Sequence, residues 1–198
     1  AILYHNITPA EYFTGIQEQI ARGLARGRDQ AKRLAGSAQI VMADSGFNAS
    51  ELRQWGYPEA RVLPLVLDLA LLRKHANRYT LDKYHDDLVN ILFVGRCVPN
   101  KRIEDCLAAF YYFQKYVEPN SRFIHVGSYA GTEQYHALLL TQQREMMMRN
   151  VDLVGTMRQD ELNAAYRASS VFLCMSEHEG FCIPLIEAMV NDVPVLAY

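Results

Sequence analysis

From Val89 onward the chain alternates short apolar runs with longer stretches in which apolar residues recur at helical spacing. The runs at 89–94, 122–126, 151–154, 170–175 and 193–197 predict buried strands, and the stretches near 101–117, 131–149, 159–168 and 183–190 predict helices between them. In the first of these helices Ile103, Leu107, Phe110, Tyr111 and Val117 keep to one face. Strands joined through helices by short loops pair in parallel, so this half reads as a doubly wound sheet whose ligands meet the loops after the strand ends.

The first third follows the same rhythm. Ala1–Tyr4 reads as a strand, Asn6-Ile7-Thr8-Pro9 as a loop, and the stretch to residue 37 as a long helix. Ile20, Leu24, Gly27, Ala31 and Leu34 form its apolar stripe, with Arg22, Arg26 and Arg33 roughly opposite. Gln39–Ala43 is a second strand, Asp44 or Ser45 can cap a helix to about Trp55, Gly56 suits its stop, and Arg61–Leu67 is a third strand. Leu69–Asp87 changes character. It has few apolar residues at any period and carries Arg73, Lys74, Arg78, Asp82, Lys83, Asp86 and Asp87, which predicts an interdomain linker. The expected organisation is a Rossmann-like domain over 1–70, a linker over 71–88 and a second Rossmann-like domain over 89–198. Because the chain opens inside one strand and stops as another finishes, we expect a segment of a longer protein, with both domains incomplete.

With 198 residues, half of them hydrophobic, and a formal net charge of −2, the chain has the composition of a soluble globular α/β protein. That balance argues against disorder and against a general nucleic-acid binder. No apolar run approaches the length of a membrane span. Cys97, Cys106, Cys174 and Cys182 are widely spaced without a C-x-x-C pair or a histidine cluster, so they read as reduced thiols of a cytoplasmic protein, with no structural metal. The arginine stripe of the first long helix could meet an anionic membrane surface where a lipid-linked acceptor sits. Glu18 and Asp29 interrupt it, and an ordinary solvated face is the alternative.

The chemistry concentrates in Ser170–Tyr198, a strand, loop, helix and strand in turn. Gly180 permits close backbone approach, and Pro184 falls in the first helical turn, where a missing N–H loses nothing. The amides of Phe181, Cys182 and Ile183 then offer an anion site at the positive end of the helix, suited to a diphosphate. Glu187, one turn in, can accept hydrogen bonds from the vicinal hydroxyls of a ribose, and Glu179 those of a second polyol. The plainer reading makes Glu179 a cap and Glu187 a solvated surface residue. In V-G-R-C-V-P-N-K-R, residues 94–102, Arg96 and Lys101 leave a strand end together and suit phosphate oxygens; Arg102 is expected to face solvent. His5 ends the first strand, where it either faces a ligand cleft or is a structural histidine. His178 precedes Glu179 without an assigned action.

E-G-F-C-I-P-L-I-E, with A-M and P-V-L-A after it, resembles the E-x7-E signature of retaining GT-B glycosyltransferases, in particular family 4, also called group 1. The resemblance implies a GT-B fold of two Rossmann-like parallel-sheet domains and transfer of a sugar from a nucleotide-diphosphate donor to a hydroxyl of a glycan or lipid-linked acceptor. It implies that Glu179 contacts the donor sugar and Glu187 the ribose. V-G-R-x-x-x-x-K is similar to the family element whose Arg and Lys, here Arg96 and Lys101, hold the diphosphate. Gly155-Thr156-Met157 corresponds to the base-contacting loop, with Met157 as the candidate, although a core-packing methionine is the plainer description. His5 matches a family histidine that approaches the sugar. Cys182 stands where the family usually has a small residue, and Asp68 resembles the Asp of an N-G-V-D turn without its polar lead-in.

In the implied mechanism, protein cations and helix amides stabilise the departing diphosphate, so neither a metal nor a cofactor is expected. A glycosidase would place its carboxylate pair across a cleft, whereas Glu187 lies in a helix beyond an anion site. Two alternatives share the donor site: a GT-B-like nucleotide-sugar epimerase and a non-catalytic nucleotide-sugar-binding scaffold.

Overall fold

The computed structural model describes residues 1–73 and 75–198; Lys74, counted above among the linker charges, lies outside them. The described residues form two compact units. One comprises residues 1–67 with 178–182, the other residues 68–177 with 183–198.

In the first unit β1 (Ile2–Tyr4), β2 (Val41–Ala43) and β3 (Arg61–Val62) form a parallel sheet in that spatial order. A 3-10 turn (Ala10–Phe13) leads into α1 (Glu18–Arg33), which connects β1 to β2, and α2 (Gly46–Gln54) connects β2 to β3. On α1, Ala21 is buried, Ile20, Leu24, Gly27 and Ala31 are half-buried, and Arg22, Arg26 and Arg33 are exposed. Leu34 falls beyond the last helical turn and is exposed, so it drops out of the stripe. Arg28 joins the buried side instead, donating to the Ile7 carbonyl and to Glu51 with its guanidinium 4.7 Å from the Trp55 ring centre. Ser45 caps α2 by accepting from the Asn48 amide, and Gly56 closes it at φ +96°. The core gathers Tyr4, Ala43, Ala49, Leu52, Tyr57 and Ala60. Only two residues of the expected strand Arg61–Leu67 pair with β2, and the Leu63 amide makes one further bond to the Ala43 carbonyl. Pro64 has no N–H to continue that ladder.

In the second unit, α3 (Leu69–Arg73) and α4 (Arg78–Tyr84) occupy the stretch read as a linker. Both are too short for a period to show in sequence. Asn77 caps α4 through the Thr80 amide and bonds Asp160 through both its own amide and its side chain. Tyr84 is buried, and its carbonyl accepts from the Asn90 side chain. Next come β4 (Val89–Val94), α5 (Ile103–Tyr116), β5 (Ser121–Val126), α6 (Glu133–Glu145), β6 (Val151–Gly155), α7 (Gln159–Arg167), β7 (Val171–Cys174), α8 (Ile183–Val190) and β8 (Val195–Ala197). The five strands are parallel, in spatial order β6-β5-β4-β7-β8. Leu92, Phe93, Phe123, Ile124 and Phe172 of the strands and Ile103, Leu107 and Phe110 of α5 are buried, and the Phe110 and Phe123 ring centres lie 5.8 Å apart. Val117 lies past the end of α5 and is exposed; Cys106 takes its place on the buried face. The buried thiols of Cys97 and Cys106 are both pushed up to about 12, chiefly by burial, and none of the four cysteines forms a disulfide.

Candidate active site

The spatial order of the second sheet reverses between β4 and β7, so the loops that follow these two strands diverge. Arg96 and Lys101 lie on the loop after β4. That loop is fastened from beneath: the Gly95 amide donates to the Val126 carbonyl and the Cys97 amide to the Ser128 carbonyl, at 3.0 and 2.9 Å. Gly127 comes so close that a Cβ on it would sit 1.7 Å from the Gly95 carbonyl oxygen. The same oxygen accepts from His125 Nε2 at 2.9 Å, which requires the tautomer protonated there. Burial pushes the His125 pKa down to about 4 and keeps the ring neutral. Arg96 is exposed. Lys101 is half-buried, and its Cε lies 3.8 Å from where a Cβ on Gly95 would be, so the lysine folds back along the loop that carries Arg96.

On the other side of the switch point α8 begins at Ile183, directly after Cys182 at φ +63°. Pro184 occupies the first turn. Glu187 is 9% exposed and accepts from the Tyr166 hydroxyl at 2.8 Å. Burial raises its pKa, partly opposed by that hydrogen bond. The description of Glu187 as a solvated surface residue therefore does not hold. Arg102 also departs from expectation. It does not simply face solvent but pairs with Glu104, Asp105 and Glu177, because a backbone at φ +50° turns the side chain toward those acids.

Met157 is half-buried in the loop after β6, at the outer edge of the sheet. The Gly127 amide bonds the Gly155 carbonyl and so ties the start of that loop to the end of β5. A shallow cavity of ≈ 310 Å³ opens there, lined by Ser128, Tyr129, Ala130, Val154, Gly155 and Thr156. Met157 is not among its lining residues.

The remaining candidates, His5 and Glu179 to Cys182, belong to the first unit. His5 follows β1 with its side chain 54% exposed and Nδ1 3.3 Å from the buried Asp44 carboxylate. Asp44 also accepts from Asn48 Nδ2, which contacts the Gly180 carbonyl at 3.3 Å. Asn48 Oδ1 accepts from Asn6, and Asn6 Oδ1 lies 2.8 Å from His178 Nε2. The His178 ring also packs near Tyr12 and Phe47. A Cβ on Gly180 would fall 2.8 Å from the His5 carbonyl oxygen, so neighbouring backbone already requires glycine at this position. Glu179, Phe181 and Cys182 are half-buried.

Residues 78–198, more than half of the chain, match the family described as glycosyl transferases group 1. The chain belongs to that family. It is 28% identical over 169 residues to O-antigen chain mannosyltransferase B of Escherichia coli, covering 81% of this chain and 43% of that protein. It is 25% identical over 168 residues to alpha-monoglucosyldiacylglycerol synthase of Acholeplasma laidlawii, covering 85% and 38% respectively. The chain thus spans less than half the length of these curated relatives. Among solved structures, Anabaena Alr3699/HepE in complex with UDP-glucose superposes with a TM-score of 0.76 at 20% identity, over 98% of this chain and 52% of that one. Two helix-flanked parallel sheets and this similarity place the group 1 chain in the GT-B fold class, as a partial chain.

Five residues of these surroundings escape sequence reading. Tyr166 bonds Glu187 across 21 residues of sequence, and His125 reaches Gly95 across 30. Asp44 was legible only as a helix-cap candidate, Asn48 had no reading of its own, and Arg102 was legible only as a third cation. The available signal was a polar residue inside an apolar pattern, as with His125 in S-R-F-I-H-V.

Proposed function

We propose that the protein containing this chain is a retaining glycosyltransferase of the family 4 kind, moving a sugar from a nucleotide-diphosphate donor to a hydroxyl of a glycan or lipid-linked acceptor. The observation that carries this reading is the arrangement at the switch point. Arg96 and Lys101 occupy the loop after β4, and Glu187 lies one turn into the helix that follows β7. Cations and a helix start suit a diphosphate, and a carboxylate, which accepts through both oxygens, suits the hydroxyls of a ribose. The names of the two curated relatives, a mannosyltransferase and a glucosyl-lipid synthase, favour transfer over epimerisation or passive binding.

In this mechanism the bond between the anomeric carbon and the phosphate oxygen breaks, and its electron pair stays on the diphosphate. Arg96, Lys101 and the amides at the start of α8 stabilise that charge, with Gly180, Phe181, Cys182 and Ile183 shaping the turn. The acceptor oxygen bonds to the anomeric carbon on the face the phosphate leaves and gives its proton to the departing phosphate. The anomeric configuration is retained. Glu179 and His5 hold the sugar, Glu187 the ribose, and Met157 meets the base. Charge neutralisation by the two cations makes a divalent metal unnecessary in this scheme. Domain boundaries near 70 and 88 belong to the same proposal, as does action in the cytoplasm, at the inner face of the membrane through Arg22, Arg26 and Arg33. Among the described residues no helix is long and apolar enough to cross a membrane.

The test is product formation by the full-length protein. Arg96→Ala and Glu179→Ala are each expected to lower kcat/KM by about a hundredfold or more. Undiminished biological function in Glu179→Ala, with loss in Arg96→Ala, would instead identify a nucleotide-sugar-binding scaffold.

A further inference from the structure

Arg102 follows the turn Pro99–Lys101 and precedes α5 with φ 50° and ψ 46°, in the left-handed region that arginine seldom occupies. Glycine would take this backbone without strain. The side chain shows what arginine adds. Its Nε donates to Asp105 Oδ2 at 2.7 Å and lies 3.5 Å from Glu177 Oε1, while Nη1 is 3.0 Å from Glu104 Oε1. Glu104 is itself held by the Tyr135 hydroxyl, whose oxygen accepts from the Ile103 amide at 3.0 Å. On the far side, the Glu177 amide donates to the Asn100 carbonyl at 3.1 Å.

These bonds span the switch point. Asn100 and Arg102 belong to the loop after β4 that carries Arg96 and Lys101, and Glu177 to the loop after β7 that leads toward α8 and Glu187. The two loops diverge from a sheet whose own ladder ends at the strands, so their separation has to be set by contacts above it. Three carboxylates around one guanidinium leave the cluster net negative. Arg102 is thus poorly placed to act as a phosphate cation itself. Backbone strain kept at such a point marks a position where side-chain function outweighs local stability.

We propose that Arg102 is a positioning residue for the donor site: through Glu177 it fixes the spacing between the Arg96–Lys101 loop and the loop entering α8, without touching the donor. The proposal rests on the donor-site reading above and adds a residue to it.

The test uses the full-length protein, calorimetric titration with UDP, GDP and ADP, and thermal denaturation of each variant. Arg96→Ala serves as the control that removes a phosphate contact. Arg102→Gly relieves the left-handed backbone while removing partly exposed ion pairs, so its Tm is expected within about 2 °C of wild type. Its Kd for the nucleotide that binds is nevertheless expected to rise about tenfold or more. Glu177→Gln should weaken binding in the same direction, add nothing to Arg102→Gly when combined with it, and leave the Arg96→Ala defect separate. Arg102→Lys, which keeps the charge but not the fork, should fall between wild type and Arg102→Gly. The proposal is overturned if Arg102→Gly binds as wild type while Arg96→Ala does not, or if weaker binding only follows a parallel drop in Tm. If wild type binds none of the three nucleotides, the donor-site reading itself fails and this one fails with it.

Discussion

His125 illustrates how a residue with no expected ligand contact governs those that have one. Its neutral ring donates to the Gly95 carbonyl, one residue before Arg96, and is stacked on Phe93. With the pKa pushed down to about 4 by burial, against an ordinary 6.5, the unfolded chain takes up a proton below pH 6.5 that the folded chain refuses. Stability from this group is complete above pH 6.5 and is lost as pH falls toward 4. Denaturant unfolding at pH 7 and pH 4.5 should therefore show wild type losing about 2 to 3 kcal/mol more than His125→Gln, a variant that can still donate to Gly95. Equal losses would remove His125 from the account. Gly127→Ala is a sharper case. Its new Cβ would meet the Gly95 backbone carbonyl at 1.7 Å, and unfolding midpoints should report a loss of about 3 kcal/mol or more. Neither residue was legible as important beforehand, because their partners are distant in sequence. Arg96 and Lys101 read as phosphate cations because both leave one predicted strand end, and the fold does set both on the loop after β4.

Among elements, the strands and helices of the second unit from β4 onward were readable to within a few residues at their ends. A strand covered on both faces has a near-continuous apolar run, as Ile91–Val94 of β4 shows. The first unit was harder, because β3 shrinks to two residues where Pro64 breaks an edge ladder. The short helices α3 and α4 were invisible for another reason: what holds α4 is its Asn77 cap and the buried Tyr84, not a repeating stripe. α1 carries the arginine stripe. Its Arg22, Arg26 and Arg33 are exposed, while Arg28 is engaged with Glu51. Changing the first three to Glu should reduce binding of the full-length protein to vesicles containing anionic lipid, by about tenfold or more at low salt. Unchanged vesicle binding would leave the stripe an ordinary solvated face.

For the molecule as a whole, membership of the glycosyl transferases group 1 family and the GT-B fold rest on the matched region and on the two parallel-sheet units. Of the proposed donor site, V-G-R-x-x-x-x-K and Glu187 were readable as motif positions near strand ends, and the fold sets Arg96 and Lys101 on the loop after β4 and Glu187 in the helix after β7, on either side of one switch point. The sugar, the base and the acceptor depend on contacts from several loops and had no comparable signature. Arg96, Lys101, α8 and Glu187 are proposed to form a nucleotide-sugar site, and calorimetric titration of the full-length protein with a panel of UDP-, GDP- and ADP-sugars is the decisive measurement. Saturable binding of at least one of them is expected, weakened about tenfold or more by Arg96→Ala and by Glu187→Ala. Binding of none, or binding indifferent to both substitutions, would contradict it.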